Sequence, residues 1–347
     1  MKEGLLLISF LNDYSEGAHP KVLQRLVDTN LQQATGYGTD NFTTEATAKI
    51  KDAIDCPQAK VCFLTGGTQT NQIVIDALLQ SYQGVIAVDS GHINLHEAGA
   101  IEFTGHKVLT LPGKAGKLQA QTVADYVQNF YEDDSYQQMV FPGMVYISYP
   151  TEYGTLYSKQ ELTDLATVCH KYHLPLYIDG ARLGYGLMSA AADMTIKDIA
   201  QLADVFYIGG TKIGALCGEA VVFTKNNEPE QFYSFVKRHG ALLAKGRLNS
   251  LQFLELFTDN LYFDISQHAV AMALKLKQGF LDKGYQLYID SPTNQQFFIM
   301  DNQKVQELSQ QVLFTRWEKY NENQMIIRFV TSWATPEKDI DQLLALI

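Results

Sequence analysis

Two apolar runs that each end in a charged residue constrain this chain more than anything else in it. Tyr177, Ile178 and Asp179 lead into Gly180, Ala181 and Arg182, and Asp204, Val205, Phe206, Tyr207 and Ile208 lead into Gly209, Gly210, Thr211 and Lys212. Runs too apolar to face water on either side predict buried strands. A carboxylate and an amine are then presented at neighbouring strand ends.

Each residue taken singly has a plain reading, since Asp179 with Gly180 is an ordinary turn signal and Lys212 could be a solvated loop lysine. Taken as a pair, they are the two groups that pyridoxal phosphate requires of a protein. The lysine forms the Schiff base with the aldehyde, and the aspartate keeps the pyridine nitrogen protonated.

The flanking pattern predicts strands at residues 5–10, 61–64, 85–88, 107–111, 145–149 and 220–224. Helices are expected from Pro20, over 44–53, 69–82 and 120–130, and over 159–172 behind a Ser158/Glu161 capping box. Such alternation predicts an α/β fold with a mainly parallel sheet covered by helices, its ligand lying at the carboxyl ends of the strands. Further on, helices are expected at 229–243 and 250–283, short strands at 297–300, 313–317 and 325–330, a helix at 302–311 and a final helix from Pro336. This divides the chain into a large domain, residues 1–250, with segment 1–20 contributing to the site, and a smaller α+β domain, residues 251–347.

Thr65, Gly66, Gly67 and Thr68 join a strand to a helix, which bares backbone amides at a positive helix end and suits a phosphate. The glycine spacing is not that of a dinucleotide fingerprint, and residues 113–117 do not make a Walker loop. His92 and His96 would share a helix face. A zinc reading needs a third ligand that is not nearby, so no metal is expected and an imidazole against a flat cofactor ring is the better reading. Tyr37, set between Gly36 and Gly38, is either a loop plug or a lid over a ligand.

The totals limit the partners. A formal net charge of −11 argues against nucleic acid and anionic membrane, and no apolar run reaches a membrane-spanning length. The four cysteines, Cys56, Cys62, Cys169 and Cys217, lack zinc-site spacing. A soluble cytoplasmic protein with reduced thiols is expected.

With Thr65-Gly66-Gly67-Thr68, Asp179-Gly180-Ala181-Arg182, Thr211-Lys212 and the run from Arg328 to Trp333 all in order, the chain resembles the low-specificity L-threonine aldolases of the beta-eliminating lyase group, which are fold type I pyridoxal phosphate enzymes. The resemblance implies Lys212 as the Schiff-base lysine and Asp179 as the partner of the pyridine nitrogen. Gly67 and Thr68 would hold the phosphate, Gly66 and Thr211 would also touch the cofactor, and His92 would stack on the ring. Arg328 would clamp the substrate carboxylate, a task that suits a guanidinium fork. Arg182 would reach the cofactor's phenolic oxygen or the same carboxylate, and Asn12 and Tyr37 would line the substrate side. Arg247 would cross to a neighbouring subunit's phosphate, which implies a homodimer or homotetramer.

The chain departs from the family pattern in having Asn12 where a serine is usual, and Thr151-Glu152-Tyr153 where a second histidine is usual. His96 or Glu152 is expected to replace that base or to read a different side chain. The implied reaction cleaves the Cα–Cβ bond of a β-hydroxy-α-amino acid to glycine and an aldehyde. β-Elimination, transamination and cofactor binding without catalysis are the alternatives.

Overall fold

Side chains alternate along β-strands, so a strand apolar at every position must be covered on both faces. In the computed structural model, which describes residues 7–347, seven strands build such a layer: β2 (Lys60–Leu64), β3 (Gln83–Val88), β4 (Val108–Leu111), β5 (Phe141–Ser148), β6 (Leu176–Asp179), β7 (Val205–Gly209) and β8 (Glu219–Phe223), with β6, β7 and β8 buried at every position and Lys60 and Thr110 exposed towards the edges. They form one sheet in the order β2-β8-β7-β6-β5-β3-β4. Successive residues feed different cores: Leu176 and Ile178 join the cluster with Val145 and Ile208, while Tyr177 joins the one with Tyr146, Tyr207 and Ile73.

Neighbouring strands from β4 to β7 run parallel. β8 is antiparallel to both of its neighbours, with Glu219 opposite Gly209 on β7 and Leu64 on β2. Its first residue therefore lies on the same rim as the carboxyl ends of the other strands.

A second sheet, ordered β12-β13-β10-β9, packs near the chain's end and consists of β9 (Gln286–Ile289), β10 (Gln295–Asp301), β12 (Thr315–Lys319) and β13 (Gln324–Val330). The expected strand at 5–10 falls partly outside the described residues. Within them, β1 (Ile8–Ser9) pairs with β11 (Val312–Leu313), and Phe10 is buried with Phe280, Phe298 and Phe329. Residues 8–10 are thus fixed against the later part of the chain.

Three expectations need correction. The helix expected over 250–283 is two helices, Arg247–Leu256 and Leu261–Asp282, because Asp259 and Asn260 take left-handed conformations with φ of 50° and 62°. The strand expected at 313–317 splits between β11 and β12, and β9 was not expected at all, its alternation being polar enough to read as loop. The helix expected at 229–243 is confined to Phe232–Arg238. Among the described residues no helix is long and apolar enough to cross a membrane.

Candidate active site

β2 ends at Leu64 and the helix Gly67–Leu78 begins three residues later. Its N-cap, Gly66, has no side chain to satisfy the first amides, so those donors remain open to a ligand. Asn71, on the first turns of that helix, donates through Nδ2 to Asp179 Oδ2 at 3.0 Å and to Glu97 Oε1 at 2.7 Å.

Asp179 closes β6 on the same face and is 5% exposed. Beside it the backbone of Gly180 passes so close to β7 that a Cβ there would lie 1.9 Å from the Tyr207 carbonyl oxygen, so only glycine permits this turn. Tyr146 donates to Asp179 Oδ2 at 2.7 Å, Tyr207 to Oδ1 at 2.5 Å and the Ala181 amide to Oδ1 at 3.0 Å. Burial works to raise the carboxyl's pKa, but His92 and the hydrogen bonds from Tyr207, Asn71 and Tyr146 outweigh it and hold the group below its ordinary value. A buried carboxylate kept ionised is suited to hold a proton on a facing nitrogen. His92 Nδ1 lies 2.7 Å from Glu97 Oε1, which fixes one side of the imidazole and turns the other towards the cleft.

Lys212 follows β7, and its carbonyl accepts from the Tyr185 hydroxyl at 2.5 Å. Burial and the charge of Arg182 lower its pKa against the opposing pull of Asp13, Asp179 and Glu219. The amine is thus readily freed of its proton, as a nucleophile must be. Asp13, fully buried, holds Arg182 by a fork: Nε donates to Oδ2 at 2.7 Å and Nη2 to Oδ1 at 3.0 Å.

The second sheet supplies the opposite wall. Arg328 on β13 donates through Nη1 to Gln295 Oε1 at 3.0 Å and through Nη2 to Thr315 Oγ1 at 3.2 Å, and lies 4.8 Å above the Trp317 ring. Its buried Nε has no partner among the described residues. Burial and the neighbouring Arg182 bring its pKa down to about 10, so it stays charged at neutral pH. The His96 ring is 5.7 Å from that of His92 and 6.0 Å from Trp317. Burial, His92 and Arg328 lower its pKa, leaving it neutral. Glu152 Oε1 accepts from Ser148 Oγ at 2.6 Å and from the His92 amide at 2.9 Å, and burial raises its pKa.

These groups line one cleft of about 730 Å³ that includes Gly67, Thr68, His92, His96, Glu97, Glu152, Asp179, Arg182, Thr211, Lys212, Glu219, Trp317 and Arg328. Such a volume is typical of a small-molecule site. Among the described residues no cluster of three or more His, Cys, Asp or Glu side chains is arranged for a metal.

Three expected residues lie elsewhere in their own chain. Asn12 closes its own turn, accepting from the Tyr14 amide and Ser15 Oγ, while Tyr14 lines the cleft. Tyr37 is 45% exposed beneath Lys237, bordering a separate hollow. Arg247 donates to the carbonyls of Gln32 and Asn30 at 2.5 and 3.2 Å. Sequence reasoning missed Asp13, Asn71, Glu97, Tyr146, Tyr207 and Glu219. A signal existed only for Glu97, five residues beyond His92, and for Glu219, a lone acid opening an apolar strand.

The beta-eliminating lyase family matches the chain over residues 11–303. A low specificity L-threonine aldolase of a Pseudomonas species is 29% identical over 343 residues, covering 97% of this chain and 96% of the relative. One from Pseudomonas aeruginosa is 27% identical over 341 residues, covering 96% and 95%. The solved structure of Leishmania major threonine aldolase superposes with a TM-score of 0.94 at 41% identity over 98% of each chain. Thermus thermophilus aspartate aminotransferase, at 14% identity with a TM-score of 0.72 over 99% of this chain and 91% of its own, shares the fold, the fold type I that the family resemblance implied. A match over most of the length, with Asp179 and Lys212 on one rim of that fold, makes this chain a member of the beta-eliminating lyase family.

Proposed function

We propose that the chain is a pyridoxal-phosphate-dependent carbon–carbon lyase that cleaves a β-hydroxy-α-amino acid of the threonine class to glycine and an aldehyde. The observation that carries this reading is the meeting in one cleft of an ionised buried Asp179, an amine of lowered pKa at Lys212 and an underused guanidinium at Arg328. The residues fit the cofactor: uncapped amides at Gly67 and Thr68 with the Thr211 hydroxyl suit its phosphate, Asp179 its ring nitrogen, Lys212 its aldehyde and His92 its ring face. When bound, the cofactor supplies an acceptor for the electron pair released as the Cα–Cβ bond breaks.

The chain's own residues do the rest. Arg328, with the vacant Nη1 edge of Arg182, orients the substrate carboxylate. Glu152 takes the β-hydroxyl proton: burial raises its pKa and so strengthens it as a base, whereas burial, His92 and Arg328 weaken His96. His96, beside Trp317, reads the substrate's side chain.

Oligomerisation belongs to the same reading. Leu23 and Val27 on the helix Pro20–Thr29, and Leu31 just beyond its end, expose 49%, 61% and 92% of their surface, beside the carbonyls that Arg247 holds. A homodimer or homotetramer would cover them and bring Arg247 and Tyr37 to a neighbour's site. Cys56, Cys62, Cys169 and Cys217 are free thiols, which suits the reducing cytoplasm.

Borohydride reduction of the protein with pyridoxal phosphate should leave an adduct on Lys212, read by peptide mass spectrometry. A panel of threonine, allo-threonine, phenylserine, serine and cystathionine should give glycine and aldehyde from the first three without keto acid. Glu152→Gln should lower kcat by about 10²- to 10⁴-fold, the range of a lost general base, and abolish the rise of rate with pH that ionisation of Glu152 should give the parent. His96→Phe should redistribute KM among the substrates. Keto acid as the main product, or a full rate in Glu152→Gln, would overturn the assignment.

A further inference from the structure

Glu219 is a buried acid on the floor of the cleft that the proposed reaction does not use. It opens β8 and is 3% exposed. Residues directly opposite in an antiparallel pair project to the same face, so its pairing with Leu64 points it towards the side where the helix Gly67–Leu78 starts with open amides. Oε2 accepts from the Gly210 amide at 3.2 Å, and Oε1 lies 2.7 Å from Thr211 Oγ1, which itself accepts from the Gly218 amide at 3.1 Å.

The hydrogen count in this chain of contacts depends on the acid. A hydroxyl has one hydrogen and two lone pairs. If Glu219 is ionised, Thr211 must donate its only hydrogen to Oε1 and has none for the cleft. If Glu219 carries a proton on Oε1, the direction reverses: the acid donates to the remaining lone pair of Thr211, and the threonine hydrogen is released for an anion in the cleft, against which the Gly218 carbonyl, at 3.5 Å, is a long and weak competitor. Oε2, already accepting from an amide, remains the carbonyl oxygen in that form.

We propose that Glu219 is a positioning residue that works as a neutral acid, turning the Thr211 hydroxyl into a donor for the phosphate of the bound cofactor. This rests on the cofactor reading above. The other titratable groups that face Glu219 are Lys212, Asp179, Tyr177, Tyr207, Tyr262 and Cys217. Burial lifts the Glu219 pKa to about 8, aided by Asp179 and opposed by Thr211, Lys212 and Gly210, so the neutral form is available at neutral pH. A phosphate ester is already dianionic above pH 7, with its second pKa about 6. Above pH 8 an ionised Glu219 therefore both withdraws the Thr211 donor and adds a negative charge beside the anion.

The test is the affinity of the protein for pyridoxal 5′-phosphate from pH 6.5 to 9.5, measured by equilibrium dialysis beside its uncharged-tail counterpart pyridoxal. The ratio of phosphorylated to unphosphorylated affinity should be flat below pH 8 and fall above it by up to about tenfold per pH unit, the slope of one linked proton. Glu219→Gln, permanently neutral and similar in shape, should keep the ratio flat throughout. Pyridoxal cancels the contribution of the Lys212 amine, which both ligands meet alike. An equal slope in parent and Glu219→Gln, or a flat ratio in the parent, would overturn the role of Glu219 while leaving the cofactor reading intact. No saturable binding of either ligand at any pH would instead overturn the cofactor reading. Should Glu219→Gln fail to fold, as a thermal melt would show, the parent's ratio alone decides.

Discussion

Asp13 holds its place by charge rather than by shape. It is fully buried and neutralises Arg182 through two hydrogen bonds, with Asn294 adding a third at 2.9 Å. Removing one partner of a buried ion pair strands the other, at a cost of about 3–5 kcal/mol. Asp13→Ala should lose that much stability in urea unfolding, and Asp13→Asn less, because an amide oxygen still accepts. Burial alone would raise the Asp13 pKa, but Arg182 and Lys212 bring the folded value below the ordinary 3.8. The unfolded chain then binds the proton more readily, so the contribution is present above that ordinary value and is lost as pH falls through the folded one. The stability gap between parent and Asp13→Asn should therefore narrow below about pH 4 and stay constant towards neutrality; a gap that persisted in acid would contradict the ion pair. Asp13 was also the residue that sequence reasoning passed over in favour of Asn12. Lys212, Asp179 and Arg328 were legible because each is a charge set at or within an apolar run. Asp13 and Asn71 were not, since their meaning comes from partners 169 and 108 residues away.

Helices and strands of the sheet were legible for a related reason: their burial on two faces writes a pattern into adjacent residues. Ser158 and Glu161 form the reciprocal cap expected of them, β6 ends on Asp179, and β7 ends at Gly209 in the turn that carries Lys212. The pattern failed where apolar periodicity continued through a break. Between Leu256 and Leu261 the chain reverses into a new helix on two left-handed residues, and Asn260 Nδ2 donates to Asp264 Oδ1 at 2.7 Å. Asparagine tolerates this conformation better than most residues, a local preference that helical periodicity overrode in the reading. Asn260→Ala should cost about 1 kcal/mol of stability and Asn260→Gly much less, since alanine keeps the Cβ penalty of the left-handed conformation without the compensating side chain and glycine has no Cβ at all. Equal losses would mean that the Asp264 contact, not the backbone, makes the turn.

At the scale of the molecule, the cleft lies between two sheets, and the chain's beginning joins them. Phe10 bridges β11 and β13, donating its amide to the Leu313 carbonyl at 2.8 Å and accepting from the Val330 amide at 2.9 Å, while Asp13, three residues on, grips Arg182 beside the large sheet. A ligand touching both walls should therefore stabilise the whole chain in two additive steps. Pyridoxal phosphate, held on the large sheet, should raise stability by about 2.7 kcal/mol at a free concentration one hundred times its Kd. Glycine added afterwards should raise the melting temperature again if, as proposed, its carboxylate pairs with Arg328 on the second sheet. Arg328→Gln keeps the shape of a donor but loses the charge and the fork. It should leave the first step unchanged and demand at least about tenfold more glycine for the second, the smallest penalty expected for a charge-paired contact. Thermal melts with cofactor alone and with cofactor plus glycine separate the steps. A second step of full size in Arg328→Gln would place the substrate carboxylate on Arg182 instead and make the second sheet a cover rather than a binding wall.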